Sequence, residues 1–145
     1  MAENSPTACV LVIGNELLSG RTQDANIKFL ATRLGELGIP LREVRVIPDV
    51  AATIVETVNE VRARFTYVFT TGGIGPTHDD ITSECVAAAF GVPWEKQPEA
   101  WALLASRYPP GGFNAARQRM ATMPRGARLI ANPVSVAPGF EIGNV

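Results

Sequence analysis

The sequence contains few of the residues that build metal centres, redox sites and membrane spans. Cysteine occurs only at positions 9 and 85, histidine only at position 78, and no apolar run approaches the length of a bilayer-spanning helix. Cys9 and Cys85 are too far apart for a metal-ligand spacing or a redox pair, so we expect two buried thiols in a reducing compartment. The first six residues lack the plan of a secretory signal. We therefore expect a cytoplasmic protein that makes no contact with a membrane.

The chain also lacks an excess of either charge. It has 13 basic and 14 acidic side chains and a formal net charge of -1, so no global positive field is available to bind nucleic acid. One local basic cluster occurs late in the chain, and we interpret it as a solvated face; its members are Arg117, Arg119, Arg125 and Arg128. With 46% apolar residues, residues 1–145 suit a single domain with its own core.

Strand and helix patterns alternate over the first two thirds of the chain. Short apolar runs at 9–13, 41–47 and 67–70 predict strands, and apolar residues at helical spacing predict helices over 27–37, 50–61 and 81–89. A polar loop is expected at 15–24, and Ala88 and Ala89 are expected to face inward. Beyond Pro93 we expect short helices at 98–108 and 114–123, then strands at 128–131 and at the end of 136–145. This order predicts an α/β fold with a parallel sheet covered by helices on both faces.

A glycine-rich turn follows the third predicted strand and is the most informative segment. Residues 71–77 read Thr-Gly-Gly-Ile-Gly-Pro-Thr, at the edge of the sheet where open parallel sheets bind ligands. Glycines at 72, 73 and 75 permit a sharp turn whose amides, with the N-terminus of the next helix, suit a phosphate. The alternative is structural, because Thr77 and Asp80 match a helix capping box. The turn is neither a Walker loop, which needs a following lysine, nor a Rossmann fingerprint.

Two carboxylates, Asp79 and Asp80, lie directly after this turn. They would repel a bound phosphate unless a cation intervened, and Mg²⁺ is commonly held by one or two carboxylates together with phosphate oxygens and waters. We therefore expect Mg²⁺ or another cation to assist at a phosphate site here, by polarising a phosphoryl oxygen or activating water.

A second polar stretch, residues 14–26, follows the first strand and should lie at the same sheet edge. Its side chains could frame a base or a sugar. The structural alternative makes Asp24 a helix cap and Gly20 a turn residue. Asp49 likewise follows a strand and precedes a helix, so capping is the simpler interpretation of this residue too.

These segments resemble the molybdopterin-binding domain family, which includes MogA and MoaB proteins and the N-terminal domain of the competence/damage-inducible protein CinA. The CinA branch is the more similar. The resemblance covers almost the whole chain from Cys9 onward, and the motif at 71–82 is its most specific part. Three groups of residues carry it: 14–20 with Asp24 and Asn26; 71–82; and Asn132-Pro133 with 137–140.

The resemblance implies a three-layer αβα domain with a mostly parallel sheet. It also implies a nucleotide or pterin phosphate as ligand and self-association of the chain. Asp79 and Asp80 are the expected catalytic and metal-binding residues. The expected ligand contacts are Gly72, Gly73, Ile74, Gly75, Thr77, Gly14, Asn15, Glu16, Asp24, Asn26, Asp49, Pro138 and Gly139.

Three activities remain open. CinA-like domains are associated with metal-assisted hydrolysis of a nucleotide pyrophosphate such as ADP-ribose. MogA-like members transfer an adenylyl group to molybdopterin, which makes molybdopterin a second candidate ligand. The third alternative is a non-catalytic binding or assembly module.

The chain departs from the family pattern at three places. Asn15 stands where Asp is common, and Ser135-Val136 where Gly-Thr is common. The family usually continues past Val145 with a strand and a Pro-Gly-Val-Pro loop near the ligand. One interpretation is therefore a truncated domain that binds its ligand without turnover.

Overall fold

The computed structural model describes residues 5–21 and 23–145. It consists of two compact units: the first runs to Gly72 and includes Asn144 and Val145, and the second is Gly73–Gly143. The start of the N-terminal segment, residues 1–4, and Thr22 of the second polar stretch lie outside the described residues. In the described part of the chain, no helix combines the length and apolar character that crossing a bilayer requires.

The first unit is a three-stranded parallel sheet with three helices. Its strand order is β2-β1-β3, and β1 pairs in parallel with both neighbours. The alternation of strands and helices predicted for this part of the chain is confirmed. In chain order the elements are β1 (Ala8–Ile13), α1 (Asn15–Leu18), α2 (Asn26–Glu36), β2 (Leu41–Ile47), α3 (Ala51–Arg64) and β3 (Tyr67–Thr71).

The core of this unit forms around β1, the central strand. All six of its residues are buried, as a continuous apolar run in the middle of a parallel sheet predicts. Helix α3 buries Ile54, Val58 and Val61, which recur at helical spacing and so share one face. Full burial of each such side chain contributes about 1.5–3 kcal/mol. These positions therefore fix the packing of α3 within the unit.

The second unit contains short elements around a small core of its own. Two antiparallel strand pairs, β4 with β5 and β6 with β7, accompany three helices. Ala100, Leu104, Ala121 and Met123 form the buried cluster. The elements are α4 (Thr82–Phe90), β4 (Trp94–Lys96), α5 (Pro98–Arg107), α6 (Ala115–Gln118), a 3-10 turn (Arg119–Ala121), β5 (Thr122–Pro124), β6 (Arg128–Ile130) and β7 (Gly139–Glu141).

Several local predictions were wrong in detail. The polar loop at 15–24 contains the one-turn helix α1, and Ala88 is exposed, while Val86 and Ala87 of α4 are buried. The helix expected over 114–123 stops early, because Thr122 and Met123 belong to β5. Strands β4 and β5 pair across almost thirty residues, with Trp94 opposite Pro124. Such a long-range pairing has no local sequence pattern by which it could be recognised.

The exit from β3 is sterically restricted. Thr71 lies opposite Val12 of β1, and the next residue, Gly72, has a φ of +88°. A Cβ atom at Gly72 would overlap the carbonyl oxygen of Ile13. Glycine is therefore required here on two counts, its left-handed backbone and the close approach of β1.

We predict that Gly72→Ala destabilises the protein much more than Gly126→Ala. Gly126 has a similar φ of +86°, but an added Cβ would meet nothing within 4 Å. The control substitution therefore incurs only the left-handed strain of about 1–2 kcal/mol. Gly72→Ala adds an overpacking cost of roughly 1–3 kcal/mol. Urea denaturation measures the free energy of unfolding of both variants. Equal losses of this free energy would contradict the proposed clash.

A second prediction concerns the thiols. Burial raises the pKa of Cys9 from 9.0 to about 11, and burial also raises the pKa of Cys85. The thiolate is the reactive form, so both residues should resist an aromatic disulfide reagent at pH 8 until denaturant is added. Above about pH 9 the Cys9 thiol ionises in the unfolded chain but stays neutral in the folded protein. Ionisation therefore favours the unfolded state, and the stabilisation from Cys9 should be lost as the pH rises from about 9 to about 11.

The matched control for the labelling is Ala102→Cys, an exposed position in α5. This added thiol should react at once in the folded protein. Immediate labelling of Cys9 or Cys85 in the native state would contradict their burial.

Candidate functional site

The first unit brings three of the predicted residues to one edge of its sheet. Gly14, Asp49 and Gly72 follow the carboxyl ends of β1, β2 and β3, which the parallel register aligns. The amide of Gly14 donates to the carbonyl oxygen of Ile47 at 3.0 Å, which ties the exits of β1 and β2 together. This edge is where ligands bind in open parallel sheets.

Asp49 does not cap the helix that follows it. The N-cap of α3 is Val50, and no side-chain cap hydrogen bond is present. Instead, Asp49 Oδ1 is buried and has no hydrogen-bond partner in the described part of the chain. A buried carboxylate oxygen without a donor is costly. This favours the ligand-binding interpretation of Asp49 over the capping one.

Some side chains in the loop after β1 contact the loop itself or the helix that follows it. Asn15 and Glu16 are exposed in α1, and the Glu16 carboxylate lies so close to Gly14 that a Cβ there would be 2.6 Å from Oε1. Asp24 Oδ2 accepts a hydrogen bond from the amide of Ile27 at 2.7 Å in the first turn of α2. Asp24 therefore binds the first turn of the helix, as the structural alternative predicted. Asn26, the first residue of α2, is exposed.

The second unit begins with the glycine turn. Gly73 has a φ of +71°, and a Cβ there would overlap Thr82 Oγ1. Within residues 5–21 and 23–145, the amides of Gly73, Ile74 and Gly75 donate to no protein acceptor. Three consecutive N–H groups without acceptors are the feature that an anion-binding turn requires.

Asp80 is held in a defined position beside this turn. Its Oδ2 accepts hydrogen bonds from the amide of Thr77 at 2.9 Å and from the Thr77 hydroxyl at 2.8 Å. A Cβ on Gly75 would lie 2.8 Å from the same oxygen, so the carboxylate packs directly against the glycine backbone. The Asp79 side chain is 71% exposed, with Oδ1 3.3 Å from His78 Nε2. Asp80 is fixed by the fold, whereas Asp79 faces solvent.

The capping-box interpretation of Thr77 and Asp80 was wrong in one respect. One half of the box exists, the bond from the Thr77 amide to Asp80 Oδ2, but the Asp80 amide donates to the Thr77 carbonyl oxygen at 3.1 Å and not to the hydroxyl, and these bonds close a separate turn. Helix α4 begins only at Thr82. Its N-terminus is therefore displaced along the chain from the glycine turn, and the amides nearest the carboxylates belong to the turn itself.

The third motif forms a tightly bonded loop. The side-chain amide nitrogen of Asn132 donates to Ser135 Oγ and to the carbonyl oxygen of Ala137. Its side-chain oxygen, Oδ1, accepts from two main-chain amides of the loop. Val136 has a φ of +68°, a conformation that costs a β-branched residue about 1–3 kcal/mol. The loop leads to buried Pro138, which lines a small cavity together with Ile74 of the glycine turn. Gly139 pairs with Ile130 in the β6–β7 ladder.

Arg119 contacts the candidate site, and the sequence did not reveal this. It was assigned to a solvated basic face, yet only 26% of its side chain is exposed, and its Nη2 donates to the carbonyl oxygen of Asp80 at 3.1 Å. It also lines the cavity that contains Ile74 and Pro138. Four arginines within twelve residues carry no local indication of which one turns inward, because the contacts that decide it are 39 residues away.

The carboxylates fit a cation that is shared with a ligand. Among the described residues, no group of three or more His, Cys, Asp or Glu side chains is arranged to hold a metal ion. Asp79 and Asp80 offer two carboxylates, and Mg²⁺ typically combines one or two carboxylates with phosphate oxygens and waters. The residues present therefore suit an ion that arrives with a phosphate.

Comparison with known proteins identifies the family. Residues 9–145 match the family model described as "Probable molybdopterin binding domain". The chain is 41% identical over 142 residues to a protein of Pyrobaculum calidifontis, covering 95% of this chain and 54% of that protein. It is 40% identical over 133 residues to a CinA-like protein of Prochlorococcus marinus, covering 90% of this chain and 31% of that protein. The chain thus spans about half or less of the length of these relatives.

Solved structures agree with this match. The crystal structure of the protein CinA from Thermoplasma acidophilum, described as of unknown function, superposes with a TM-score of 0.86 at 34% identity, over 92% of this chain and 80% of that one. The tungsten cofactor synthesizing protein MoaB from Pyrococcus furiosus has a TM-score of 0.55 at 19% identity, over 91% of this chain and 78% of that one, and supports the fold alone. The predicted αβα class with a mostly parallel sheet is confirmed. The chain belongs to the molybdopterin-binding domain family and, within it, to the CinA-like proteins.

Proposed function

We propose that this domain binds the phosphate of a nucleotide or pterin at the turn formed by Gly73, Ile74 and Gly75, and hydrolyses a nucleotide pyrophosphate such as ADP-ribose with the help of a cation. The observation that carries the proposal is the set of three amides without acceptors among the described residues, beside a carboxylate that Thr77 holds in place. Preorganised donors aimed at phosphoryl oxygens are the usual means by which proteins stabilise phosphoryl transfer.

Each residue then has a defined role. The amides of Gly73, Ile74 and Gly75 bind phosphoryl oxygens and fix one phosphorus. Asp80 Oδ2 is occupied by Thr77, so Oδ1 is the oxygen that can orient a water molecule and accept its proton. The water oxygen forms a bond to phosphorus as the bridging P–O bond breaks, and the two products each carry a phosphate group.

The cation belongs at Asp79 and Asp80. When bound, it would neutralise charge between the carboxylates and the pyrophosphate and polarise a phosphoryl oxygen. Asp79 is the more exposed of the two and is free to reorient toward such an ion. Gly14, Asn15, Glu16, Asp24, Asn26, Asp49, Gly72, Pro138 and Gly139 remain proposed contacts for the rest of the ligand.

Molybdopterin is the second candidate ligand, with binding or adenylyl transfer in molybdenum cofactor synthesis as the function. The family description favours it, and so do structural neighbours that include a MogA and several molybdopterin biosynthesis proteins. A non-catalytic assembly module is the third. For all three we propose that residues 1–145 act as one domain in the cytoplasm and self-associate, without binding nucleic acid.

A thermal-shift screen should separate the three candidates. A ligand at one hundred times its Kd stabilises the folded state by about 2.7 kcal/mol, which raises Tm by roughly 5–10 °C. We expect ADP-ribose with Mg²⁺ to produce this shift, with cleavage detected by chromatography of the products. A shift with molybdopterin and no cleavage of ADP-ribose would favour the second candidate. No shift with either ligand or with inorganic pyrophosphate would leave only the assembly module.

We further predict that Asp80→Asn lowers kcat for ADP-ribose by about 10²–10⁴-fold, the usual contribution of a general base. Asparagine retains an oxygen that can accept the Thr77 hydrogen bonds, so Tm should change little. Glu99→Gln, an exposed carboxylate in the first turn of α5, is the matched control and should keep full activity. Unchanged turnover of Asp80→Asn would remove Asp80 from the mechanism.

A further inference from the structure

Arg119 differs from the other arginines of the basic cluster in its surroundings. Its side chain is 26% exposed, whereas those of Arg125 and Arg128 are 63% and 81% exposed and pair with Glu95 and Glu141 at the surface. Arg117 packs over Tyr108 and donates to the carbonyl oxygen of Gly112. Arg119 alone among the four donates a hydrogen bond to the turn that carries the acidic pair.

The guanidinium of Arg119 is supported on several sides. Its Cζ lies 5.1 Å from the centre of the Trp94 ring, and its Nη2 lies 3.9 Å from the carboxylate of Glu84. Trp94 is itself fixed, because its Nε1 donates to Ser83 Oγ at 3.0 Å. Arg119 Nε is buried and has no partner among the described residues. The planar group is therefore held by the face of an indole and by one directed hydrogen bond, and its flat shape allows stacking on the ring that the ammonium group of lysine lacks.

This hydrogen bond reaches Asp80 from a distant part of the chain. The other hydrogen bonds that the structure describes for Asp80 are made with Thr77, three residues away. Those local bonds shape the turn but do not attach it to anything else. The Arg119–Asp80 bond links the turn to the segment that runs from α6 into β5.

We propose that Arg119 is a positioning residue, which holds the main chain of Asp80 so that its carboxylate stays beside the glycine turn. The inference rests on the proposed role of Asp80 in phosphoryl chemistry. A displacement of about 1 Å at a reacting group is enough to cost roughly 10²-fold in rate.

The first test is kinetic, with ADP-ribose and Mg²⁺. We expect Arg119→Ala to lower kcat by roughly 10–100-fold while KM changes less than about 3-fold, because the amides that bind the phosphate remain. Millimolar guanidinium should restore part of kcat in Arg119→Ala and none in Asp80→Asn. Arg119→Lys, which keeps the charge but not the planar group, should be intermediate. Arg125→Ala, from the same cluster, should behave as the unchanged protein.

A double substitution tests whether Arg119 acts through Asp80. In the Asp80→Asn background, Arg119→Ala should cause no further loss of kcat. If the two losses multiply, Arg119 acts independently of Asp80 and the positioning role is wrong.

A second measurement does not depend on catalysis. Hydrogen exchange of the Asp80 amide, which donates to the Thr77 carbonyl oxygen, should accelerate at least about tenfold in Arg119→Ala and stay unchanged in Arg125→Ala. If Arg119→Ala does not fold, Arg119→Lys is compared with Arg125→Ala instead, with a smaller acceleration expected. Faster exchange in a protein that hydrolyses nothing would support the positioning role and overturn the proposed function. Unchanged exchange would overturn the positioning role whatever the activity.

Discussion

The parallel pairing of β1 with β3 is the constraint on which the site depends. It places the carbonyl oxygen of Ile13 where the Cβ of the residue after Thr71 would otherwise lie, so the chain can leave the sheet only through a glycine in the left-handed region. A second left-handed glycine follows and lets Thr82 approach closely. The result is a turn directly after β3 in which the amides of Gly73, Ile74 and Gly75 donate to no acceptor among residues 5–21 and 23–145.

The turn and the residues after it contain groups with opposite electrostatic effects on an anion. Backbone N–H groups without acceptors attract an anion, while Asp79 and Asp80 repel one. In the proposed function, a cation that enters with the phosphate relieves this repulsion. The guanidinium of Arg119, which is part of the fold, donates to the main chain of Asp80. Because this hydrogen bond goes to the carbonyl oxygen of Asp80, it leaves the carboxylate open to the proposed ligand.

Residues 14–26 show how the side chains of a polar segment can be used by local structure. Asp24 is committed to the first turn of α2, and Glu16 lies folded over Gly14. Asp49 shows the opposite result, since the expected cap is absent and a buried oxygen has no partner in the described residues. Local sequence offers both roles for an acid between a strand and a helix. Only the surrounding packing shows which donors reach it.

The sequence alone determined the alternation of elements in the first unit and the location of the glycine turn, because both depend on local properties: apolar periodicity and the absence of Cβ atoms. It also contained the motifs that carry the family resemblance. The tertiary structure decided which of four neighbouring arginines turns inward, that Thr77 and Asp80 close a turn and not a helix, and that β4 pairs with β5. Each of these depends on contacts between residues distant in sequence or on where a helix finally begins, and local patterns do not encode them.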